Sequence, residues 1–310
     1  MTLTELKYIV AVAREKHFGR AAEACFVSQP TLSVAIKKLE EELDVRIFER
    51  GASEVSVTPL GEQIVRQAQQ VIEQAASIKE IAKRGKDPVS GPLRVGIIYT
   101  IGPYLLPDLV RSAIERVPQM PLILQENFTA KLLEMLRAGE LDCAIMAEPF
   151  PDTGLAVAPL YDEPFMAAVP KAHALAKRKQ LSAEELKNET MLLLGTGHCF
   201  RDHVLEVCPE YARFASPGSV NSEGIRKSFE GSSLETIKYM VASGMGVTVV
   251  PQLSVPKDPM PHVKYIRFTP PAPTRRVVLA WRRTFPRYEA IAALRNAIYA
   301  CELPGVKRLT

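Results

Sequence analysis

No stretch of the 310 residues approaches the roughly 18 to 20 consecutive apolar residues that a membrane-crossing helix needs. The N-terminus has no secretory core either, because Glu5, Lys7, Arg14, Glu15 and Lys16 interrupt it. A cytoplasmic chain with no membrane partner is the expectation. Cysteine is scarce and badly placed for scaffolding: five residues, at 25, 143, 199, 208 and 301, form no CxxC pair and no zinc-type spacing. That argues against a structural disulfide framework, and neither metal nor cofactor is expected. Excess charge of one sign is also missing. With 39 basic and 35 acidic residues the formal charge is +4, so bulk electrostatics neither demands nor excludes nucleic acid, and evidence for such a partner must come from local pattern.

The length suffices for two or three compact cores. Leu6, Ile9, Val10 and Ala13 recur at helical spacing, and a second, alanine-rich helix runs through Cys25. Ser28 is then a good N-cap and Pro30 belongs in the first turn of a third helix, with Leu32, Ala35, Ile36 and Leu39 as its buried stripe. Two helices joined by a short turn, the second opening in small polar residues, let a helix N-terminus reach base edges. Gln29, Thr31, Ser33 and Lys37 then lie toward the groove. Phe48 to Val57 reads as a tight hairpin with Arg50 near its tip as a phosphate or minor-groove contact, which makes a winged helix-turn-helix over residues 1–58. The domain is not basic overall, with eight basic and nine acidic residues in the first sixty, but Glu40, Glu41, Glu42 and Asp44 cluster at the far end of the third helix. A generic three-helix packing unit is the competing reading.

Ile64, Ala68, Val71, Ala75, Ile78 and Ala82 follow Thr58-Pro59 at alternating spacings of four and three, the seam of a short coiled coil. The outer positions, Glu62, Arg66, Gln67, Gln69, Gln70 and Glu73, look too polar for full burial. A linker helix over 59–86 that pairs two copies is therefore expected. At this point the segment AAEACFVSQPTLSVAIKKLEEELDVRIFER resembles the N-terminal domain of LysR-type transcriptional regulators. The resemblance runs the length of the chain. It implies contact with double-stranded promoter DNA through Gln29, Pro30, Ser33 and Arg50, a homodimer to homotetramer, RNA polymerase as a partner, and a bacterial, nucleoid-associated protein.

Residues 87–310 change character. Strand-like runs at 93–98, 121–126, 142–147 and 165–169 alternate with helical patterns at 102–117 and 129–139, which predicts a mainly parallel α/β sheet. Further helices are expected at 234–243 and 287–301, with a strand at 247–250. Such sheets bind ligands beyond the carboxyl ends of their strands, where Thr100 and Thr129 fall between a strand and a helix. Both could also be plain N-caps. The LysR resemblance implies two lobes like those of periplasmic binding proteins, with these threonines at the cleft.

The chemistry concentrates in TGHCFRDHVLEVCPE, where Cys199 sits among His198, Arg201, Asp202 and His203 and Cys208 follows nine residues on. Nearby cations or a helix N-terminus can lower a thiol pKa from about 8.5, yet full ionisation gains only about ten- to thirty-fold in thiolate. Fast reaction with peroxide must draw mostly on stabilising the departing hydroxide. If residues 202–207 are helical, the two cysteines lie about 13 Å apart, so closing a disulfide requires the segment to refold. The segment resembles the redox segment of the peroxide-responsive members of the LysR family. That implies hydrogen peroxide as the signal, Cys199 as the peroxidatic and Cys208 as the resolving cysteine, and Thr100, Thr129, His198 and Asp202 around the peroxide. It also implies reduction by a thiol system such as glutaredoxin or thioredoxin. A cation for the thiolate is expected from Arg275, although Arg276 next door leaves the register open. Rival readings are a LysR-type regulator binding a small organic acid in the cleft, a stand-alone thiol peroxidase, and a periplasmic solute-binding protein; the first is the nearest, and a non-enzyme is expected.

Overall fold

The computed structural model describes residues 1–50, 55–83, 89–151, 154–214, 228–258 and 260–309. Its N-terminal head is built from α1 (Leu3–Glu15), α2 (Phe18–Ala24) and α3 (Gln29–Leu43), followed by a hairpin of β1 (Phe48–Arg50) and β2 (Val55–Val57). Local chemistry sets the helix starts. Thr2 and Glu5 form a capping box on α1, and the Ser28 hydroxyl accepts from the Thr31 amide with Pro30 in the first turn of α3. Leu32, Ile36 and Leu39 of α3 are buried against Ile9 and Val12 of α1 and Ala21 of α2, each worth about 1.5–3 kcal/mol in transfer free energy. The expected hairpin is present, but residues 51–54 at its tip and the Arg50 side chain lie outside the described residues.

The linker helix α4 (Pro59–Lys83) packs Ile64, Val65, Ala68 and Ile72 on the head. Of the expected seam, Val71 and Ile78 are exposed, while Ala82 falls outside the described side chains. Glu73 corrects the expectation of a solvated outer face. It is buried, because Arg282 ion-pairs with it at 2.6 Å and Thr284 donates to it at 2.6 Å. A charge can leave water when its partners are charged and hydrogen-bonded.

Residues 93–309 are mixed α/β. Strands β3 (Leu93–Ile98), β4 (Leu122–Asn127) and β5 (Cys143–Glu148) are parallel, joined by α5 (Gly102–Arg116) and α6 (Thr129–Arg137). Beyond them the sheet departs from the mainly parallel expectation. The run at 165–169 is the far half of a 16-residue strand, β6 (Leu155–Pro170). β12 (Thr274–Arg282) lies between β5 and β6, antiparallel to both. Short strands follow β6 in the chain, β7 (Gln180–Leu181) and the parallel pair β8 (Met191–Leu194) and β9 (Ser228–Gly231), and the far half of β6 pairs with β10 (Thr248–Pro251) and β11 (Val263–Phe268), both antiparallel. Two separate apolar cores result. One gathers β3, β5, α5, α6 and α9 (Tyr288–Ala300). The other gathers the far half of β6, α7 (Cys199–Val207) and α8 (Leu234–Ala242). Among the described residues, no helix is long and apolar enough to cross a membrane.

Candidate functional site

Three helix N-termini meet between the two cores. Thr100 directly follows β3, Thr129 opens α6 after β4, and Cys199 opens α7. Neither threonine caps its helix. The caps of α5 and α6 are Ile101 and Phe128, without side-chain hydrogen bonds, so both hydroxyls are free of that duty. Together with Ile98, Tyr99, Asn127, Phe128, Gly197 and His198, these residues enclose a cavity with about 10 Å³ open to the centre of a water molecule. That is about the space one water needs. His198 is the N-cap of α7, and its ring stacks edge-on with Phe128 at 4.9 Å and Tyr99 at 5.8 Å between centroids. Burial lowers its pKa, so the ring is neutral near pH 7. Gly197, at φ +98°, is pressed on the Phe128 ring, where a Cβ would come within 3.3 Å.

Strand phase decides between the two arginines. Arg275 points inward and is fully buried, whereas Arg276 is exposed and paired with Asp162. Arg275 ion-pairs with buried Glu163 at 2.8 Å, donates to the Thr100 hydroxyl at 2.8 Å and to the Thr100 carbonyl at 2.9 Å, and lies over the Phe200 ring. It thus fixes Thr100 from behind the cavity. Among the described residues, the buried Thr129 hydroxyl has no hydrogen-bond partner other than the Cys199 sulfur toward which it reaches.

Burial pushes the Cys199 thiol above its ordinary pKa; the Thr129 hydroxyl and the Arg275 charge pull the other way, and Asp202 adds to the rise. Desolvation is the largest of these effects, so the expected cation, Arg275, is present but does not bring the thiol below its ordinary value. Asp202 stands exposed in the first turn of α7 and does not line the cavity. Cys208, the C-cap of α7, is wholly buried, and burial pushes its thiol up to about 12. Tyr99, Phe128 and Glu163 were not singled out from sequence. The first two sit beside the threonines at strand-to-helix junctions, a usable signal, while Glu163 meets Arg275 only through the β6–β12 register.

On the head, Gln29, Pro30 and Thr31 are exposed at the start of α3, Ser33 is half-buried, and Lys37 is exposed beside Glu41 at 3.6 Å. Phe26 and Val34, which sequence reasoning passed over, are exposed on the same end of the head.

A helix-turn-helix head on a mixed α/β regulatory domain defines a class of bacterial transcriptional regulator. Two family models match: the bacterial regulatory helix-turn-helix protein, lysR family, over residues 3–62, and the LysR substrate binding domain over residues 86–300. The chain belongs to the LysR family. It is 38% identical to a hydrogen peroxide-inducible genes activator of Pectobacterium carotovorum, over 94% of this chain and 95% of that one. It is also 38% identical to the DNA-binding transcriptional dual regulator OxyR of Escherichia coli K12, over 94% of each. Among solved structures, full-length OxyR of Pseudomonas aeruginosa carrying a Cys-to-Asp mutation is similar at 49% identity and TM-score 0.79, covering 97% of this chain and 96% of that one. A hydrogen peroxide-bound cysteine mutant of Corynebacterium glutamicum OxyR is similar at 33% identity and TM-score 0.63, over 96% and 91%.

Proposed function

We propose that this chain is a hydrogen-peroxide-sensing transcriptional activator whose signal is a thiol–disulfide switch. The observation that carries the reading is the water-sized cavity at Cys199, lined by the Thr100 and Thr129 hydroxyls. Hydrogen peroxide is little larger than water, whereas an organic acid needs a site many times this volume. The thiolate of Cys199 attacks one peroxide oxygen, the O–O bond breaks, and the second oxygen leaves as hydroxide that takes a proton to become water. The threonine hydroxyls and the α6 amide terminus favour the departing charge. The sulfenic acid so formed condenses with the Cys208 thiol, releasing water and leaving a disulfide. A thiol reductant such as the glutaredoxin or thioredoxin system reverses it, so the chain acts as a switch and not as an enzyme.

Residues 1–58 serve as a winged helix-turn-helix, 59–86 as the dimerising linker and 87–310 as a two-lobed redox domain of periplasmic-binding-protein type. Gln29, Pro30, Thr31, Ser33 and Lys37 face the major groove and Arg50 the backbone of promoter DNA. Paired heads in a homodimer or homotetramer read a pseudo-palindromic site and recruit RNA polymerase in the bacterial cytoplasm. The Cys199→Ser variant is expected to keep DNA binding and lose peroxide-induced transcription. Peptide mapping after mild peroxide should join Cys199 to Cys208. Unimpaired induction in the variant, or two free thiols in the activated protein, would sink the proposal.

A further inference from the structure

We propose that Phe26 reads DNA, by setting its ring against a thymine methyl at the major-groove edge beside the N-terminus of α3. This rests on the DNA-binding reading above.

Helix α2 ends in a Schellman motif. The Val27 amide donates to the Ala22 carbonyl and the Phe26 amide to the Glu23 carbonyl, both at 3.0 Å. Phe26 takes the left-handed position of that motif, at φ +56°, which is normally filled by glycine and sometimes by asparagine, because a Cβ is strained there. The ring gains nothing from the fold in exchange, since Phe26 is 95% exposed. A strained backbone and an aromatic ring left in water are both costs that glycine would remove, so the residue earns its place outside the folded chain. Its location says where. Phe26 stands two residues before Ser28, the cap of α3.

The adjoining face of α3 repeats the chemistry. Pro30, Val34 and Lys37 follow one another by four and three residues, on one side of the helix. Pro30 is exposed, and so is Val34, at 68%, while Leu32, Ile36 and Leu39 fill the core from the other side. Phe26, Pro30 and Val34 carry no side-chain donor or acceptor. In the major groove the apolar group that base pairs present to such side chains is the thymine C5 methyl. The polar residues Gln29, Thr31 and Ser33 alternate with them along the chain, so hydrogen-bonded and apolar contacts interleave across a single helix end.

The test uses the full-length chain and duplexes that it enriches from a pool with a randomised core, with each thymine then replaced by deoxyuridine, which lacks only the methyl. Removing one methyl per half-site should weaken wild-type binding about five-fold or more, and Phe26→Gly should bind the thymine duplex about ten-fold less tightly. The variant should show no further loss on the deoxyuridine duplex, and its head should melt at or above the wild-type temperature. Equal affinity of variant and wild type, equal sensitivity of both to the methyl, or a lower melting temperature that makes the ring structural would each overturn the inference alone. A wild-type chain that enriches no sequence would overturn the DNA-binding reading and the inference with it.

Discussion

Cys199 and Cys208 stand at opposite ends of α7 and serve different cores: the first packs against the core of β3, β5 and α5, and the second is a wholly buried member of the core of β6 and α8. Nine residues of helix rise about 13 Å, whereas a disulfide holds its Cα atoms roughly 4.4–6.8 Å apart. Cys208 is also a poor nucleophile where it lies, its thiol pushed up to about 12 by burial. The resolving step therefore requires α7 to open first. Amide exchange across residues 199–208 should rise sharply on oxidation and stay slow in a Cys208→Ser protein treated alike; protection unchanged in the disulfide form would refute the opening.

Burial holds Cys199 above the ordinary thiol value, which sets the sign of its pH dependence. The thiolate is then the minor form at neutral pH, and its share grows about ten-fold for each pH unit below the pKa. Alkylation of Cys199 in the reduced protein should climb steadily from pH 6 past pH 8. A rate already level below pH 7 would mean that Arg275 and the helix terminus outweigh desolvation.

Arg275 and Glu163 are both out of water, so removing one strands the other. Arg275→Ala should cost about 3–5 kcal/mol in denaturant unfolding. Arg275→Met combined with Glu163→Gln removes the stranded charge and should recover most of that loss. The double variant should still oxidise Cys199 about ten-fold or more slowly, because the Thr100 hydroxyl and carbonyl lose their donors. Wild-type oxidation rates in the double variant would show that fixing Thr100 does not matter.

What could be read from sequence was what local chemistry specifies. Ser28 and Pro30 announce the start of α3, and the placing of Thr100 and Thr129 between strand and helix brought both to the cavity with Cys199. Arg275 and Arg276 could not be told apart, because alternate residues of a strand face opposite ways and only the packed sheet fixes the phase. Only the far half of β6, 165–169, reads as a strand from sequence, because Pro159 and Pro164 interrupt the first half and the two halves serve different cores. Glu73 misled for another reason. Its type suits solvent, and only the arrival of Arg282 and Thr284 from more than 200 residues away makes its burial tolerable.

Glu73 also ties the linker helix to the strand that carries the sensor. β12 begins next to Arg275 at the cavity and ends at Arg282, about 23 Å away along the strand. Arg282 ion-pairs with Glu73 of α4 and donates to the Leu136 and Leu141 carbonyls around the α6–β5 turn. The approach there is tight: Gly139 has φ +73°, and a Cβ on it would come within 2.6 Å of the Gln69 amide nitrogen. A shift of β12 on oxidation would thus be felt by α4, the helix that packs on the DNA-binding head. Glu73→Ala strands the largely buried Arg282 charge and should lower stability by about 3 kcal/mol. The reduced variant should bind DNA within about two-fold of wild type, since Glu73 is remote from α3, while its footprint should no longer change when Cys199 and Cys208 are oxidised. Footprints that still differ between the reduced and oxidised variant would show that the signal reaches the heads by another route.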